Sequence, residues 1–160
     1  MNTGKRFEQN FRKSVPEDIF YYRFNDGTAS WGSEKTRFQT PNMCDCMIFY
    51  KNSLFLIELK SHKGKSLPFV AIRNNQLEKM TDACRFDNIL PLFIINFSDV
   101  GETYGIYAEK INEFIKTASR KSIPIDWCMK NGIEIKSVRK KVNFVYEIEQ
   151  SLHEFISQKY

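Results

Sequence analysis

Three charged side chains stand at the outer ends of an apolar stretch that a short polar break divides. They are Asp45, Glu58 and Lys60, in the run Cys44-Asp45-Cys46-Met47-Ile48-Phe49-Tyr50-Lys51-Asn52-Ser53-Leu54-Phe55-Leu56-Ile57-Glu58-Leu59-Lys60. Two carboxylates are hard oxygen ligands suited to Mg²⁺ or Mn²⁺. Packed together without a cation they repel, because like charges a few ångströms apart do not ionise easily. A divalent ion or the Lys60 ammonium resolves that conflict. An ion held there would polarise a phosphodiester and help generate hydroxide, with Lys60 positioning or deprotonating water and offsetting charge on the phosphorane. The competing reading is an ordinary salt bridge at a strand end.

The elements around these residues decide between the two. The runs on either side of Lys51-Asn52-Ser53 are rich in Ile, Phe and Leu, and the polar break between them turns the chain, which predicts a β-hairpin. With Lys51-Asn52 as a two-residue loop, Tyr50 faces Ser53. Counting outward then places Asp45 directly opposite Glu58. Opposed residues bring their Cβ atoms within about 5 Å. Glu58 and Lys60 are two apart and share a face. A second E-x-K, Glu134-Ile135-Lys136 with Asp126 upstream, lacks a flanking apolar strand pair and reads as a solvated edge.

Both faces of the hairpin are apolar, Cys46, Ile48, Phe55 and Ile57 on one, Met47, Phe49, Leu54 and Leu56 on the other. Strands of that kind lie centrally in a sheet covered on both sides. The expected fold class is α/β (α+β), a central mixed β-sheet flanked by helices. The 160 residues are 42% hydrophobic and 14% aromatic, which suits one globular domain and excludes a disordered chain. The start leads into no apolar h-region and no run is long enough for a membrane span, so a cytosolic protein is expected. The net charge of +5 is compatible with a polyanionic partner. Cys44 and Cys46 form C-x-C within a strand, and His62 lies far from His153, so buried reduced thiols are expected rather than a zinc site.

Along the chain, a helix is expected over residues 3–14, capped by Thr3, with Phe7 and Phe11 on one face and Glu8 at its edge. Lys5 and Arg6 make its start basic. Residues 19–24 read as a strand. The polar stretch 25–43 carries Lys35 and Arg37 and is a candidate nucleic-acid-contacting loop. The loop after Lys60 adds Lys63 and Lys65. A helix over 71–86 follows, with Leu77, Met80 and Cys84 as its stripe. Arg73 and Gln76 continue that stripe, and the charged end of the hairpin is their expected partner. Residues 90–97 and 102–108 read as a strand pair, 109–119 as a helix, 123–132 as irregular, 137–142 as a basic segment, and 143–158 as a closing helix with Val145 inward. Lys63, Lys65 and Arg73 are the expected phosphate contacts.

Asp45 with Glu58-Leu59-Lys60 resembles the core motif of the PD-(D/E)xK nuclease superfamily. The order Gly4-Lys5-Arg6-Phe7-Glu8, Ile57-Glu58-Leu59-Lys60-Ser61, Lys63-Gly64-Lys65-Ser66-Leu67-Pro68-Phe69, Asn75-Gln76 and Glu102-Thr103-Tyr104 resembles that of RecU-type Holliday junction resolvases and their phage-encoded relatives. The resemblance spans roughly residues 4–110. It implies a restriction-endonuclease-like fold, a homodimer in a bacterial or phage-infected cell, and Mg²⁺-dependent (or Mn²⁺-dependent) cleavage of four-way DNA junctions. It also implies Asp45 and Glu58 as metal ligands, Lys60 as the catalytic lysine, and Glu8 and Gln76 as further catalytic residues. Lys5, Arg6, Lys35, Arg37, Lys63, Lys65 and Arg73 would contact DNA. Cys44 stands where the family carries Pro or Thr. Two other readings use the same residues: another nuclease of the superfamily, of restriction or repair type, and a non-catalytic DNA-binding protein on the same fold.

Overall fold

The computed structural model describes residues 2–25 and 41–159. Lys35 and Arg37 lie outside the described residues, as does most of the expected 25–43 loop. Helix α1 (Thr3–Ser14) starts the fold. Asn2 caps it in place of Thr3, its Oδ1 accepting the Gly4 N–H at 2.8 Å. Strands β1 (Phe20–Arg23), β2 (Cys46–Tyr50) and β3 (Ser53–His62) run antiparallel in sequence. Lys51 and Asn52 have φ of 44° and 61°, the paired left-handed residues of a type I′ turn. That turn fixes Tyr50 opposite Ser53 and Cys46 opposite Ile57, the register read from the sequence.

After β3 the chain crosses over through β4 (Ser66–Pro68), a 3₁₀ turn (Phe69–Ala71) and α2 (Asn74–Ala83). It returns as β5 (Ile89–Phe97), parallel to β3. Parallel neighbours need such a crossover. Strand β6 (Glu102–Tyr107) folds back on β5, and α3 (Ala108–Thr117) follows. Then come β7 (Ser122–Pro124), α4 (Ile125–Asn131), β8 (Ile133–Glu134), β9 (Ser137–Lys140), β10 (Asn143–Tyr146) and α5 (Ile148–Lys159). The central sheet has the order β1-β2-β3-β5-β6-β8 and is mixed, with β3 and β5 as its parallel pair.

Two cores form, one on each face of the sheet. Cys46, Ile48, Phe55 and Ile57 pack with Phe7 and Phe11 of α1 and with Leu152 and Phe155 of α5. Leu56, Phe93 and Ile95 pack with Leu77 and Met80 of α2, Ile111 of α3 and Cys128 of α4. Helices on both faces are what doubly apolar strands require. One corner departs from this: Phe49 is 50% exposed opposite Phe20, itself 55% exposed. Among the described residues strand β1 is an edge, and the helices of that face gather over β5 and β6 instead.

Several local expectations need correction. The helix expected over 71–86 is confined to Asn74–Ala83, because the preceding turn is 3₁₀ and Arg73 occupies the cap. The segment 61–68 is not all loop. Strand β3 continues to His62, and β4 pairs with β7. Residues 123–132 contain β7 and α4 rather than irregular chain. The closing helix begins at Ile148. Residues 143–146 are instead a strand paired with β9, and Val145 points outward at 41% exposure.

Candidate active site

The C-terminal half of β3 carries the charged set. Glu58 is 2% exposed, enclosed because its neighbour β5 is buried along nearly its whole length. It shares the face of Leu56, on which α2 packs, whereas Leu59 faces the core under α1. Lys60 is on the Glu58 face, and its Nζ lies 2.7 Å from Glu58 Oε1. Its side chain keeps 19% of its surface in solvent. The pair therefore has a buried acid end and a basic end that reaches water.

Asp45 sits where β2 begins. The paired ladder ends at Cys46 and Ile57, and Asp45 is attached just beyond it by its N–H to the Ile57 carbonyl at 3.0 Å. Its Oδ2 accepts the Leu59 N–H at 2.7 Å, fixing the carboxylate beside β3. Burial pushes the Glu58 carboxyl up from 4.5 to about 7, and the neighbouring Asp45 charge pushes the same way. Lys60 and Arg73 pull against both. The proximity derived from hairpin register is thus expressed as mutual repulsion, moderated by two cations. Burial also raises the flanking Cys44 thiol to about 12, so that side chain stays a neutral packing group.

Gln76, on the first turn of α2, is 6% exposed. Its Nε2 donates to Glu58 Oε2 at 3.3 Å and to the Asn42 carbonyl at 3.4 Å. The stripe that placed Gln76 toward the hairpin end is realised, but Arg73, at the helix cap, is exposed. Gln76 Oε1 is buried and has no hydrogen-bond partner among the described residues. A buried acceptor left unpaired costs about 1–3 kcal/mol. An unpaired amide oxygen beside two carboxylates is a hard-oxygen donor set, which fits Mg²⁺ or Mn²⁺.

Glu8 is placed differently. Its Oε2 takes the Arg23 guanidinium at 2.7 Å, from α1 to β1. Arg23 stands opposite Cys46, and the next residue, Phe24, donates its N–H to the Asp45 carbonyl at 2.9 Å. Glu8 is therefore near the strand end that carries Asp45, but on the face covered by α1. Among the described residues no three His, Cys, Asp or Glu side chains gather closely enough to hold a metal ion, so Glu8 does not join Asp45 and Glu58 in one cluster. Arg23 as its partner was not read from the sequence. The signal was available in strand alternation, which puts Arg23 on the same face as Tyr21 and Cys46.

The basic residues surround this end unevenly. Lys5 and Arg6 are exposed on the first turns of α1. Lys63 and Lys65 are exposed in the connection leaving β3, whose turn is held by the Gly64 N–H on Asp99 Oδ2 at 2.8 Å. The second E-x-K is solvated as expected: Asp126, Glu134 and Lys136 are all exposed.

Comparison with known proteins gives the family and the fold. Residues 9–150 match the family described as Recombination protein U. A curated relative, the SPbeta prophage-derived uncharacterized protein YotM of Bacillus subtilis (strain 168), is 31% identical over 175 residues, covering 98% of this chain and 88% of that protein. Among solved structures, Hjc of Archaeoglobus fulgidus, a Holliday junction resolvase, superposes with a TM-score of 0.54 at 14% identity, over 82% of this chain and 95% of that one. The latter likeness is one of fold.

Proposed function

Because the chain belongs to the Recombination protein U family, we propose that it is a metal-dependent endonuclease that resolves four-way DNA junctions. The observation that carries this reading is the buried Glu58 held against Asp45, with Lys60 bridging to solvent. Asp45, Glu58 and the unpaired Gln76 Oε1 would hold Mg²⁺ or Mn²⁺. Bound there, the ion would polarise the scissile phosphate and acidify an attacking water.

The chain's own groups do the rest. The Leu59 N–H orients the Asp45 carboxylate. Gln76 Nε2 orients Glu58 from the other side. The Lys60 ammonium has three donors, of which Glu58 Oε1 occupies one. The remaining donors would bind a phosphate oxygen as negative charge develops on it. Lys5, Arg6, Lys63, Lys65 and Arg73 supply the positive surround for the DNA backbone. Lys35 and Arg37 belong to the same proposed set. Glu8 would act from the rim, after release from Arg23. A junction presents two equivalent strands to be cut, so two copies of this chain acting as a homodimer would serve it. Such a protein works where bacterial or phage DNA is, in the cytoplasm. Among the described residues no helix is long and apolar enough to cross a membrane.

The test is cleavage of a synthetic four-way junction with Mg²⁺. Wild type should cut it into nicked duplexes, and Asp45→Asn or Glu58→Gln should abolish cutting. A wild-type protein that leaves junctions intact while degrading linear duplex would replace the resolvase reading with a different nuclease role. No metal-dependent turnover on any DNA would remove the enzymatic reading.

A further inference from the structure

Strands β9 and β10 form a two-stranded ribbon separate from the central sheet. We propose that this ribbon is a second DNA-contacting surface, gripping the phosphate backbone of a duplex arm. The inference rests on the junction-binding reading above and extends it to a segment away from the charged residues of β2 and β3.

One face of the ribbon is anchored. Tyr146 is 4% exposed and packs edge-on against Phe7 of α1, ring centres 5.6 Å apart. Its N–H donates to Ser14 Oγ at 2.9 Å. Phe144 packs on the same core. The other face is exposed among the described residues. Val138 and Val145 form an exposed cross-strand pair, and the adjoining pair, Lys140 and Asn143, is exposed as well. A ribbon whose outer face stays this exposed contributes little to the core through that face.

Its charge is of one sign, with Lys140 on the exposed outer face and Arg139 exposed beside Phe144 on the other. Lys136, Arg139, Lys140 and Lys141 fall within six residues, and no carboxylate occurs from Ser137 to Tyr146. Among the described residues none of the four makes an ion pair. The neighbouring carboxylates along the chain, Glu134 and Glu147, lie beyond the root, where the Glu147 N–H binds the Lys136 carbonyl at 2.9 Å. Four cations crowded together without counter-charges repel one another, and a polyanion relieves that.

The turn sets where the last of these cations sits. Lys141 has φ 57°, a left-handed conformation that glycine adopts without a Cβ clash. The turn is held there by Arg139 Nε donating to the Lys141 carbonyl at 3.0 Å. A lysine at this position sacrifices backbone comfort and places an ammonium at the ribbon's tip, next to Val142 at 64% exposure.

Position fits the same role. Phe144 and Tyr146 line a shallow cleft with Arg6, Ser98 and Gly101. The Ser98 N–H binds the His62 carbonyl, two residues beyond Lys60. The ribbon therefore roots at the end of the sheet that carries the charged site, on the α1 face. Two-stranded ribbons match the dimensions of a DNA groove, and lysine and arginine on them meet its phosphate walls.

The experiment measures affinity for a fluorescent four-way junction across a salt series, in the full chain made cleavage-silent by Glu58→Gln. The triple change Arg139→Gln, Lys140→Gln, Lys141→Gln should flatten the salt slope by about 3, one unit for each lost phosphate contact. A second variant, Lys141→Gly, guards against misfolding as the cause: it should melt higher than its parent yet bind with a slope smaller by about 1. A folded triple variant with an unchanged slope overturns the ribbon's role and leaves junction resolution standing if the parent binds junctions. A Lys141→Gly protein that melts higher and binds unchanged also overturns it. A parent that binds no DNA overturns both readings.

Discussion

Glu58→Gln should make the metal-free protein more stable at neutral pH while abolishing its activity. Glu58 is almost fully buried, and its carboxyl is raised from 4.5 to about 7 by burial and by the Asp45 charge. Below 4.5 the group is protonated both folded and unfolded, and it costs nothing. Between 4.5 and 7 the folded protein holds the proton that the unfolded chain has released, so stability falls as pH rises. Above 7 the full cost stands, about 3 kcal/mol for this shift. Glutamine keeps the shape and the acceptor for Lys60 without the titration. In EDTA the variant and wild type should melt together near pH 4. At pH 8 the variant should melt roughly 6–12 °C higher, the span that such a free energy produces in a domain of this size. Excess Mn²⁺ should raise wild type and leave the variant unmoved, because only the carboxylate repays its burial by binding the ion. Thermal melts across pH, with and without metal, check both halves. A gap that is the same at pH 4 and pH 8, or a wild type that is the more stable at pH 8, would refute the burial-and-repulsion account.

Lys60→Ala should cut at least about a hundredfold more slowly while keeping its junction affinity, since its ammonium serves charge development more than docking; single-turnover cleavage beside anisotropy separates the two. Gln76→Met should weaken Mn²⁺ binding about tenfold, by calorimetry, because it removes the amide oxygen offered to the ion. Gly132→Ala should cost about 1–3 kcal/mol in a urea melt. Its added Cβ would stand 2.7 Å from the Gly105 carbonyl oxygen and 3.0 Å from that of Cys128, and backbone cannot swing aside as a side chain can.

The hairpin was legible because its signals are local. Apolar strands meet at two residues that tolerate left-handed backbone, and the pairing of every position follows. Gln76 was legible for a related reason, as a polar residue on a helical stripe that had to find a partner. Strand β10 was not. Val145, Ile148 and Leu152 fall at helical spacing, and what makes Asn143–Tyr146 a strand is its seat on α1, with Tyr146 bonded to a serine 132 residues away. No local period records that contact. Glu8 shows the same limit: its helix was readable, but the Arg23 that claims it lies on a strand whose packing only the tertiary fold determines.

The parallel pairing of β3 with β5 separates the site's assembly into two stages along the folding path. The β2–β3 hairpin closes over a two-residue turn, the kind of event completed in about 1–10 μs. It draws Asp45 and Glu58 together while both are still hydrated, where water screens their repulsion. Burial comes with the non-local contacts, when β5 docks at Leu54↔Ile89 and α2 brings Gln76 onto Glu58. Loop closure of that length is slow relative to a tight turn. The electrostatic cost of the site thus falls on the later step. Acidity, which neutralises Glu58, acts on how fast the crossover locks down and how readily it reopens, and leaves the initial hairpin untouched.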